Sequence, residues 1–474
     1  MKLLDVLRTA YVGSPPWIKR IAAPALGMVP AGLRFGASFK AIGESIERSE
    51  NEADFVRQWQ SERLAHQLDV ARRMAPFYAG SLPNIERESF DKPYSVLCAL
   101  PVLSKEQVRE HGDAMLTRSK DKLDVVSTSG SGGRPLTFHL DKDRSVKEWA
   151  FVQHSWRRIG YQANDFRAVF RGIQIEGADQ KPWEIEPALK ELRCSPFHLM
   201  PQYMEQFCDQ IATRSICFLH GYPSALTIFA DYVQEVGRED VRQQIAGIIC
   251  ASEALYPHQR ARLSSCFASA QITSFYGMSE KVAFACELNE APGVFEFEPL
   301  YGMTELLDQD GNPISEVGAT GRVVSTGLLF DGMPFIRYDT GDVAELVSAP
   351  KRDNCYRLRL KKLTSRWGQE YLVGADGRLI SMTAINIHSS AYGYMNEFQL
   401  IQEVPGEAVV LVSLKEGRTE KDALQFVDEI SQKVGSAVNF ECKLCSRIPQ
   451  NPRGKAKFID QRLDLGALAR LETP

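Results

Sequence analysis

The sequence predicts an α/β fold, with a large N-terminal domain followed by a smaller C-terminal α+β domain. In the first part, longer amphipathic stretches such as 54–73 and 225–236 have the period of helices. They alternate with short apolar runs typical of strands, at 169–170, 216–219, 245–250, 270–273 and 323–325. The C-terminal part contains strand-like runs and one helix-like stretch, at 398–402, 408–414, 422–434 and 438–444. The predicted domains are therefore residues 1–363 and 371–474, joined by a short connection at 364–370.

Composition is that of a globular protein with sizeable cores: of the 474 residues, 44% are hydrophobic and 24% are charged. A net charge of −4 gives no electrostatic reason to expect a nucleic-acid partner. The uncharged run at 21–33 is too short to cross a bilayer and contains prolines and glycines. The N-terminal region also lacks the pattern of a signal peptide. We therefore expect no transmembrane segment and a cytoplasmic location.

A glycine- and hydroxyl-rich loop occupies residues 127–135 and is the first candidate for ligand binding. Its members that bear on phosphate binding are Ser127, Thr128, Ser129, Gly130, Ser131, Gly132 and Gly133. Glycines let backbone N–H groups approach an anion, and the hydroxyls add donors. ATP is the expected ligand, although the spacing is not that of a Walker P-loop. A flexible turn between two strands is the alternative interpretation.

Three further segments follow the loop in a fixed order, at 274–280, 335–342 and 448–455. They read Ser-Phe-Tyr-Gly-Met-Ser-Glu, Phe-Ile-Arg-Tyr-Asp-Thr-Gly-Asp and Ile-Pro-Gln-Asn-Pro-Arg-Gly-Lys. Together with the loop, this set resembles the adenylate-forming (acyl-CoA synthetase) superfamily. More narrowly, it resembles the branch of phenylacetate-CoA ligases and their relatives in capsular polysaccharide biosynthesis. Residues 11–17, 35–39, 221–224 and 367–381 point to the same branch.

The resemblance implies how ATP is held. The loop would wrap the β- and γ-phosphates, Tyr276 and the adjoining Gly277 would hold the adenine, and Ser279 would bond the α-phosphate. Glu280 would be the protein ligand of Mg²⁺, and Asp342 would bind the ribose. The alternatives are a core aromatic for Tyr276, a carboxylate at a helix start for Glu280 and a solvated turn residue for Asp342.

Catalysis and domain movement also follow from the resemblance. Lys455 matches the superfamily's terminal Gly-Lys, whose ammonium bridges the substrate carboxylate and the α-phosphate. Arg366 stands where the superfamily has its hinge, within 364–370, and can reach the ribose or phosphate. Ser365 replaces the usual glycine there, which leaves the pivot residue open. Arg337 is an alternative structural partner for Asp342, so we assign it no catalytic role.

The residues for the acyl substrate are Tyr222, Pro223 and Ser224, which resemble a stretch beside the acyl pocket in this branch. The pair Ser252 and Glu253 resembles one that precedes the adenine-binding strand. Turn chemistry explains either motif equally well. His198 and His220 fall in the same region as candidate lining residues, although a single histidine is more often structural.

The predicted function is ATP-dependent activation of a carboxylic acid to an acyl adenylate, with ATP and Mg²⁺ as cofactors. Transfer of the acyl group would follow, to a thiol of coenzyme A or an acyl carrier protein, or to an amine. Residues 11–39 and 367–381 favour a role in surface polysaccharide biosynthesis. A catalytically inactive nucleotide-binding regulatory protein is the alternative from another class.

Overall fold

The structure is a computed structural model, which describes residues 35–83, 85–128, 136–173, 175, 177–178, 180–364, 371–385, 390–448 and 459–463. The predicted α/β class is confirmed. A large mixed sheet is flanked by helices, and a separate sheet with its own helix follows in the C-terminal part.

Twelve strands form the large sheet, in the order β11-β12-β13-β14-β10-β9-β8-β7-β6-β3-β5-β4. They are β3 (Arg167–Phe170), β4 (Trp183–Glu186), β5 (Glu191–Cys194), β6 (Phe218–Gly221), β7 (Gly247–Cys250), β8 (Gln271–Gly277), β9 (Phe284–Leu288), β10 (Ala291–Phe297), β11 (Gly302–Leu307), β12 (Thr320–Gly327), β13 (Tyr338–Ser348) and β14 (Arg359–Thr364). Strands β5, β3, β6, β7 and β8 are mutually parallel, whereas every pairing from β8 onward to β11 is antiparallel. The arrangement of the sheet therefore changes at β8.

A separate hairpin precedes this sheet. Its strands β1 (Leu123–Ser127) and β2 (Thr137–Asp141) pair antiparallel, and the 127–135 loop connects them. The buried side chains of Leu136 and Phe138 belong to a core cluster that includes Val282 and Tyr338. The base of the loop is thereby fixed against the large sheet.

Helices pack on both the parallel and the antiparallel parts. They are α1 (Ala37–Ser49), α2 (Ala53–Met74), α3 (Pro76–Ala79), α4 (Pro93–Cys98), α5 (Lys105–His111), α6 (Arg144–Arg157), α7 (Pro201–Thr213), α8 (Pro223–Glu235), α9 (Glu239–Gln244) and α10 (Pro257–Cys266). Proline at the first turn starts α7, α8 and α10, where its fixed φ suits the helix and its missing N–H costs nothing. No helix in the described ranges is both long and apolar enough to cross a bilayer.

The C-terminal part begins with a short hairpin and continues into a four-stranded sheet of order β19-β18-β17-β20. Its elements are β15 (Tyr371–Val373), β16 (Leu379–Ser381), α11 (Met382–Ile385), β17 (Met395–Val404), β18 (Glu407–Leu414), α12 (Glu420–Val434), β19 (Asn439–Leu444) and β20 (Ile459–Gln461). Thr419 and Asp422 form a capping box that starts α12, and Phe426 and Ile430 face the core from that helix. The predicted strands and helix of this region are confirmed.

One hydrophobic cluster joins the C-terminal part to the parallel half of the large sheet. It contains Phe170 and Tyr222 from the body together with Ile380 and Ala384 from the C-terminal side. Gly172 marks the close approach, because a Cβ placed there would lie 2.7 Å from the Ala384 carbonyl oxygen. The segment after 371 is thus closely packed against the body.

Candidate active site

Three of the sequence motifs lie at the carboxyl ends of neighbouring parallel strands, two of them just after the strand and one in its last residues. Tyr222–Ser224 follows β6, Ser252 and Glu253 follow β7, and Tyr276 and Gly277 end β8. Because β6, β7 and β8 are adjacent and parallel, these residues meet at one edge of the sheet. The carboxyl edge of parallel strands is where open α/β sheets bind ligands. This edge is therefore the candidate active site.

Tyr276 and Asp342, which are 66 residues apart, are joined by a hydrogen bond. The Tyr276 hydroxyl donates to Asp342 Oδ2 at 2.7 Å. Burial, reinforced by the Asp342 carboxylate, raises the pKa of Tyr276 well above its ordinary value, which keeps the phenol protonated. Tyr276 also packs on Phe297, with ring centroids 5.6 Å apart. The bond to Asp342 is consistent with contact to a ligand, and the packing on Phe297 is consistent with a core aromatic.

A second tyrosine–carboxylate pair lies beside the first. The Tyr338 hydroxyl donates to Glu280 Oε1 at 2.7 Å, and the two side chains are 0% and 5% exposed. Burial and the neighbouring Glu280 raise the pKa of Tyr338 well above its ordinary value. Glu280 lies in the turn between β8 and β9, so the alternative of a carboxylate at a helix start is wrong. We call Tyr276, Glu280, Tyr338 and Asp342 the tyrosine cluster.

The segment of β13 that carries Asp342 is organised by its own side chains. Asp339 Oδ1 accepts a hydrogen bond from the Gly341 N–H at 2.8 Å, and Gly341 has a φ of +77°. The Thr340 hydroxyl donates to the Val323 carbonyl and accepts from the Asp342 N–H at 3.1 Å. These local bonds hold the Asp342 backbone in place, so its carboxylate is half-buried and fixed instead of lying in a solvated turn.

Arg337 is not the partner of Asp342 that the sequence suggested. Its guanidinium bonds the buried Glu305 at 3.1 and 3.2 Å and also donates to the Leu100 carbonyl oxygen at 2.6 Å. The reason is geometric: Arg337 precedes β13 with a left-handed φ of +50°. Its role in the described structure is to anchor the start of that strand.

Glu253, which follows β7, accepts a hydrogen bond from the first turn of α8, which follows β6. Its Oε2 accepts from the Ser224 N–H at 3.2 Å, which satisfies a free donor at the helix start. Burial raises the pKa of Glu253, and hydrogen bonds from the Ser224, Ser381 and Thr383 side chains partly offset this rise. The carboxylate is therefore held from both the body and the C-terminal segment. We call Tyr222, Ser224 and Glu253 the strand-end cluster.

Tyr222 makes the same connection through its hydroxyl. The hydroxyl accepts from the Gly172 N–H at 3.0 Å and donates to the Thr383 carbonyl oxygen at 3.5 Å. Pro223 is buried at the first position of α8 and fixes the direction in which the chain leaves β6. Ser252 is exposed and has a φ of +66°, a conformation that costs free energy for a non-glycine residue.

The remaining predicted residues are placed as follows. Ser127 is buried, with its Oγ 3.3 Å from Thr137 Oγ1, and Thr128 closes the hairpin base by a backbone bond to Leu136 at 2.9 Å. Ser279 is half-buried in the turn before Glu280. Residues 129–133, Arg366 and Lys455 lie outside the described residues. The assignments of these residues stay predictions.

The two histidines are buried among aromatic and polar neighbours. His198 Nδ1 lies 2.8 Å from the Ser195 Oγ, and its ring contacts Tyr203 edge-on. His220 packs against Trp156 with ring centroids 4.7 Å apart, and burial next to Arg171 and Arg167 lowers its pKa well below the ordinary value. His220 is accordingly a neutral core residue in this structure.

Comparison with known proteins adds a family match in the C-terminal part. Residues 372–462 match the family model described as the CapK C-terminal domain. Protein CapK of Staphylococcus aureus is 22% identical over 423 residues, which cover 88% of this chain and 91% of that protein. The phenylacetate-coenzyme A ligase of Aromatoleum evansii is 24% identical over 342 residues, covering 68% of this chain and 72% of that enzyme.

The resemblance to the adenylate-forming superfamily is confirmed. Solved structures agree at the level of fold. An open conformation of 2-hydroxyisobutyryl-CoA ligase, in complex with 2-HIB-AMP and CoA, has a TM-score of 0.52 at 17% identity and covers 87% of this chain and 93% of that chain. The same ligase in the thioesterification state has a TM-score of 0.51 at 18% identity, covering 98% and 97% of the two chains.

Sequence reasoning missed Tyr338, the second tyrosine of the tyrosine cluster. The available signal was its place in the 335–342 motif, four residues before Asp342, which was given a role. Thr383 and Ser381 were missed for another reason. Their contact with Glu253 crosses from the C-terminal part to the body, and no local pattern reports such a contact.

Proposed function

We propose that this protein activates a carboxylic acid with ATP to form an acyl adenylate and pyrophosphate, and then transfers the acyl group to the thiol of coenzyme A. The observation that carries the proposal is the bond between Tyr276 and Asp342 at the carboxyl edge of the parallel strands. It joins the two residues expected to hold adenine and ribose. Support also comes from the similarity to a phenylacetate-coenzyme A ligase.

The first step joins two anions, so the site must neutralise charge and align the attack. Asp342 would accept hydrogen bonds from the ribose, and Tyr276 with Gly277 would lie against the adenine. Because the phenol already bonds Asp342, nucleotide arrival needs little reordering of either side chain. Ser279 and the 127–135 loop would donate to the phosphates.

Glu280 fits the role of a magnesium ligand when the nucleotide supplies the other ligands. It offers a hard carboxylate, and a hydroxyl bond to Oε1 holds its side chain. The described residues contain no group of three or more acidic, histidine or cysteine side chains that would hold a metal by themselves. Mg²⁺ would therefore bind with ATP, where it would supply charge neutralisation for the phosphates.

Lys455 and Arg366 complete the proposed machinery on the basis of the sequence motifs. The Lys455 ammonium would bridge the substrate carboxylate and the α-phosphate, and Arg366 would contact ribose or phosphate. Movement of residues 371–474 about 364–370 would then let Lys455 leave and the acceptor approach. A protein that uses ATP and coenzyme A would work in the cytoplasm.

The acyl group would bind at the strand-end cluster. Tyr222, Pro223 and Ser224 follow β6, which β7 separates from β8, so an acid there would lie near the nucleotide. The acceptor is coenzyme A by similarity to the ligases, whereas a carrier-protein thiol or an amine would suit capsular polysaccharide biosynthesis. Similarity to Protein CapK supports the latter setting.

The test is exchange of labelled pyrophosphate into ATP with a panel of carboxylic acids that includes arylacetic and short hydroxy acids. Substrate-dependent exchange is the expected result and names the acid. Adding coenzyme A, a carrier protein or hydroxylamine after adenylate formation then identifies the acceptor. ATP binding without exchange for any acid would favour the inactive regulatory alternative and reject the proposal.

A further inference from the structure

Tyr338 occupies a position without solvent access, yet its hydroxyl reaches the one acidic side chain expected to meet the metal. The side chain is 0% exposed, and its hydroxyl lies 2.7 Å from Glu280 Oε1. A buried hydroxyl needs a hydrogen-bond partner, and Glu280 provides one. The bond also removes freedom from Glu280, because a glutamate side chain has several rotatable bonds that burial alone does not fix.

The backbone before Tyr338 is held in a costly conformation. Arg337 has a φ of +50°, which is rare for a non-glycine residue. The contacts that maintain it include two bonds from the guanidinium to Glu305, one to the Leu100 carbonyl oxygen, and a bond from the Arg337 N–H to the Thr326 hydroxyl at 2.8 Å. Strained backbone that its surroundings hold so firmly is concentrated at functional sites.

This anchoring fixes where Tyr338 enters the core. Leu103 forms backbone hydrogen bonds with the residues on either side of Tyr338. The Leu103 N–H donates to the Arg337 carbonyl oxygen, and the Asp339 N–H donates to the Leu103 carbonyl oxygen, both at 2.9 Å. The ring packs on Phe335 with centroids 5.1 Å apart. The position of the hydroxyl is thus set by contacts on both sides, independent of any ligand.

We propose that Tyr338 is a positioning residue, which holds the Glu280 carboxylate by one oxygen so that Glu280 is ready to bind the metal that accompanies ATP. The inference rests on the proposed function. Groups that hydrogen-bond a metal-ligating carboxylate orient it and tune its affinity. Tyr338 does this from the same strand that carries Asp342, so metal and ribose contacts are set by one element.

The test is Tyr338→Phe, which removes the hydroxyl and keeps the ring. We expect the Mn²⁺ dissociation constant in the presence of ATP, measured by electron paramagnetic resonance, to rise about tenfold. The Mg²⁺ concentration for half-maximal pyrophosphate exchange should rise similarly, while ATP binding in excess chelator stays unchanged. Tyr161→Phe is the matched control, because it deletes another buried hydroxyl that bonds a charged side chain, that of Arg167.

Unchanged Mn²⁺ affinity in Tyr338→Phe, with a loss of thermal stability like that of Tyr161→Phe, would show a purely structural hydroxyl and overturn the inference. If Tyr338→Phe does not fold, Thr326→Ala serves instead. It removes the hydroxyl that accepts from the Arg337 N–H, and so loosens the backbone next to Tyr338 while Glu280 is unchanged. Mn²⁺ binding should weaken in the same direction; unaltered binding would contradict the role. Because Mn²⁺ binding with ATP requires no acid substrate, this result is independent of whether exchange activity is found.

Discussion

The tyrosine cluster and the strand-end cluster differ in what holds their carboxylates. Glu280 and Asp342 are each bonded by a tyrosine hydroxyl from the large sheet or its turns. Glu253 instead accepts a hydrogen bond from the Ser224 N–H of the body, and the nearby Ser381 and Thr383 side chains of the C-terminal part lower its pKa. Among the described residues, the hydrogen bonds of the first cluster therefore lie within the body, whereas the second cluster also contacts residues after 371.

This difference suggests a division of labour. The nucleotide would meet a site whose geometry is fixed before it arrives, which limits the ordering cost of binding. The acid would meet a site whose wall includes a segment from the part of the chain expected to move. Changes in the C-terminal seating should then alter acid binding and transfer more than ATP binding. The following variants test that separation, beginning with the largest expected effect.

Lys455→Ala should lower the rate of pyrophosphate exchange by about two to three orders of magnitude while ATP binding is largely kept. The reason is that the positive charge of Lys455 is needed when the substrate carboxylate and the α-phosphate approach each other. Lys455 belongs to neither cluster. Exchange kinetics and calorimetric ATP binding are the measurements. Lys457→Ala is the control and should stay active. Equal exchange rates in Lys455→Ala and the wild type would reject the assignment.

Asp342→Ala should raise the KM for ATP at least about tenfold, because it removes a charged ribose acceptor and leaves the buried Tyr276 hydroxyl without its bond. The KM for the acid should change little. Steady-state exchange at varied ATP and acid provides both values. Asp342→Asn keeps an acceptor for the Tyr276 hydroxyl, so its KM for ATP should lie between those of the wild type and Asp342→Ala. If Asp342→Ala raised only the KM for the acid, the two clusters would not bind ATP and the acid separately.

Gly172→Ala should displace the C-terminal segment, because the new Cβ would lie 2.7 Å from the Ala384 carbonyl oxygen and 3.1 Å from the Tyr222 hydroxyl. We expect about 1–3 kcal/mol lower stability and a higher KM for the acid, with the KM for ATP unaffected. Thermal unfolding and exchange kinetics check this. Gly43→Ala, on a helix with nothing within 4 Å of the added Cβ, is the matched control and should be harmless.

Glu253→Gln should have the smallest effect, and one that depends on pH. Burial raises the folded-state pKa of Glu253, so its contribution to stability is present in acid and is lost as pH rises from the ordinary glutamate range, about 4.3, through the raised value. Gln does not ionise, so the melting temperature of the variant relative to the wild type should increase over that range. A constant difference from acid to neutral pH would show that Glu253 ionises normally in the folded protein.

The sequence predicted the elements of the parallel half but not their convergence. The apolar runs at 216–219, 245–250 and 270–273 correspond to β6, β7 and β8, since short buried strands have a clear hydrophobic signal. Their adjacency is a property of sheet order, which the sequence does not display. Most antiparallel strands beyond β8 were also missed, because only the run at 323–325 was apolar enough to stand out.

The candidate site shows the same limit at the level of single residues. Tyr276, Glu280 and Asp342 were found by their motifs, whereas the two bonds of the cluster join residues far apart in sequence: 66 positions for Tyr276 and Asp342, and 58 for Tyr338 and Glu280. Arg337 was considered as a partner for Asp342 because it is close in sequence. It bonds Glu305 instead, since the left-handed backbone turns it toward β11. Proximity along the chain was the wrong guide there.

The hydrophobic cluster that joins the body to the C-terminal part has a consequence during synthesis on the ribosome. Phe170 and Tyr222 emerge 158 to 214 residues before Ile380 and Ala384, which belong to the same cluster. At ribosomal speeds this gap lasts on the order of ten seconds. A nascent chain thus exposes part of an unfinished apolar surface for that time, and this surface is where a chaperone that binds apolar segments would act on the newly made protein.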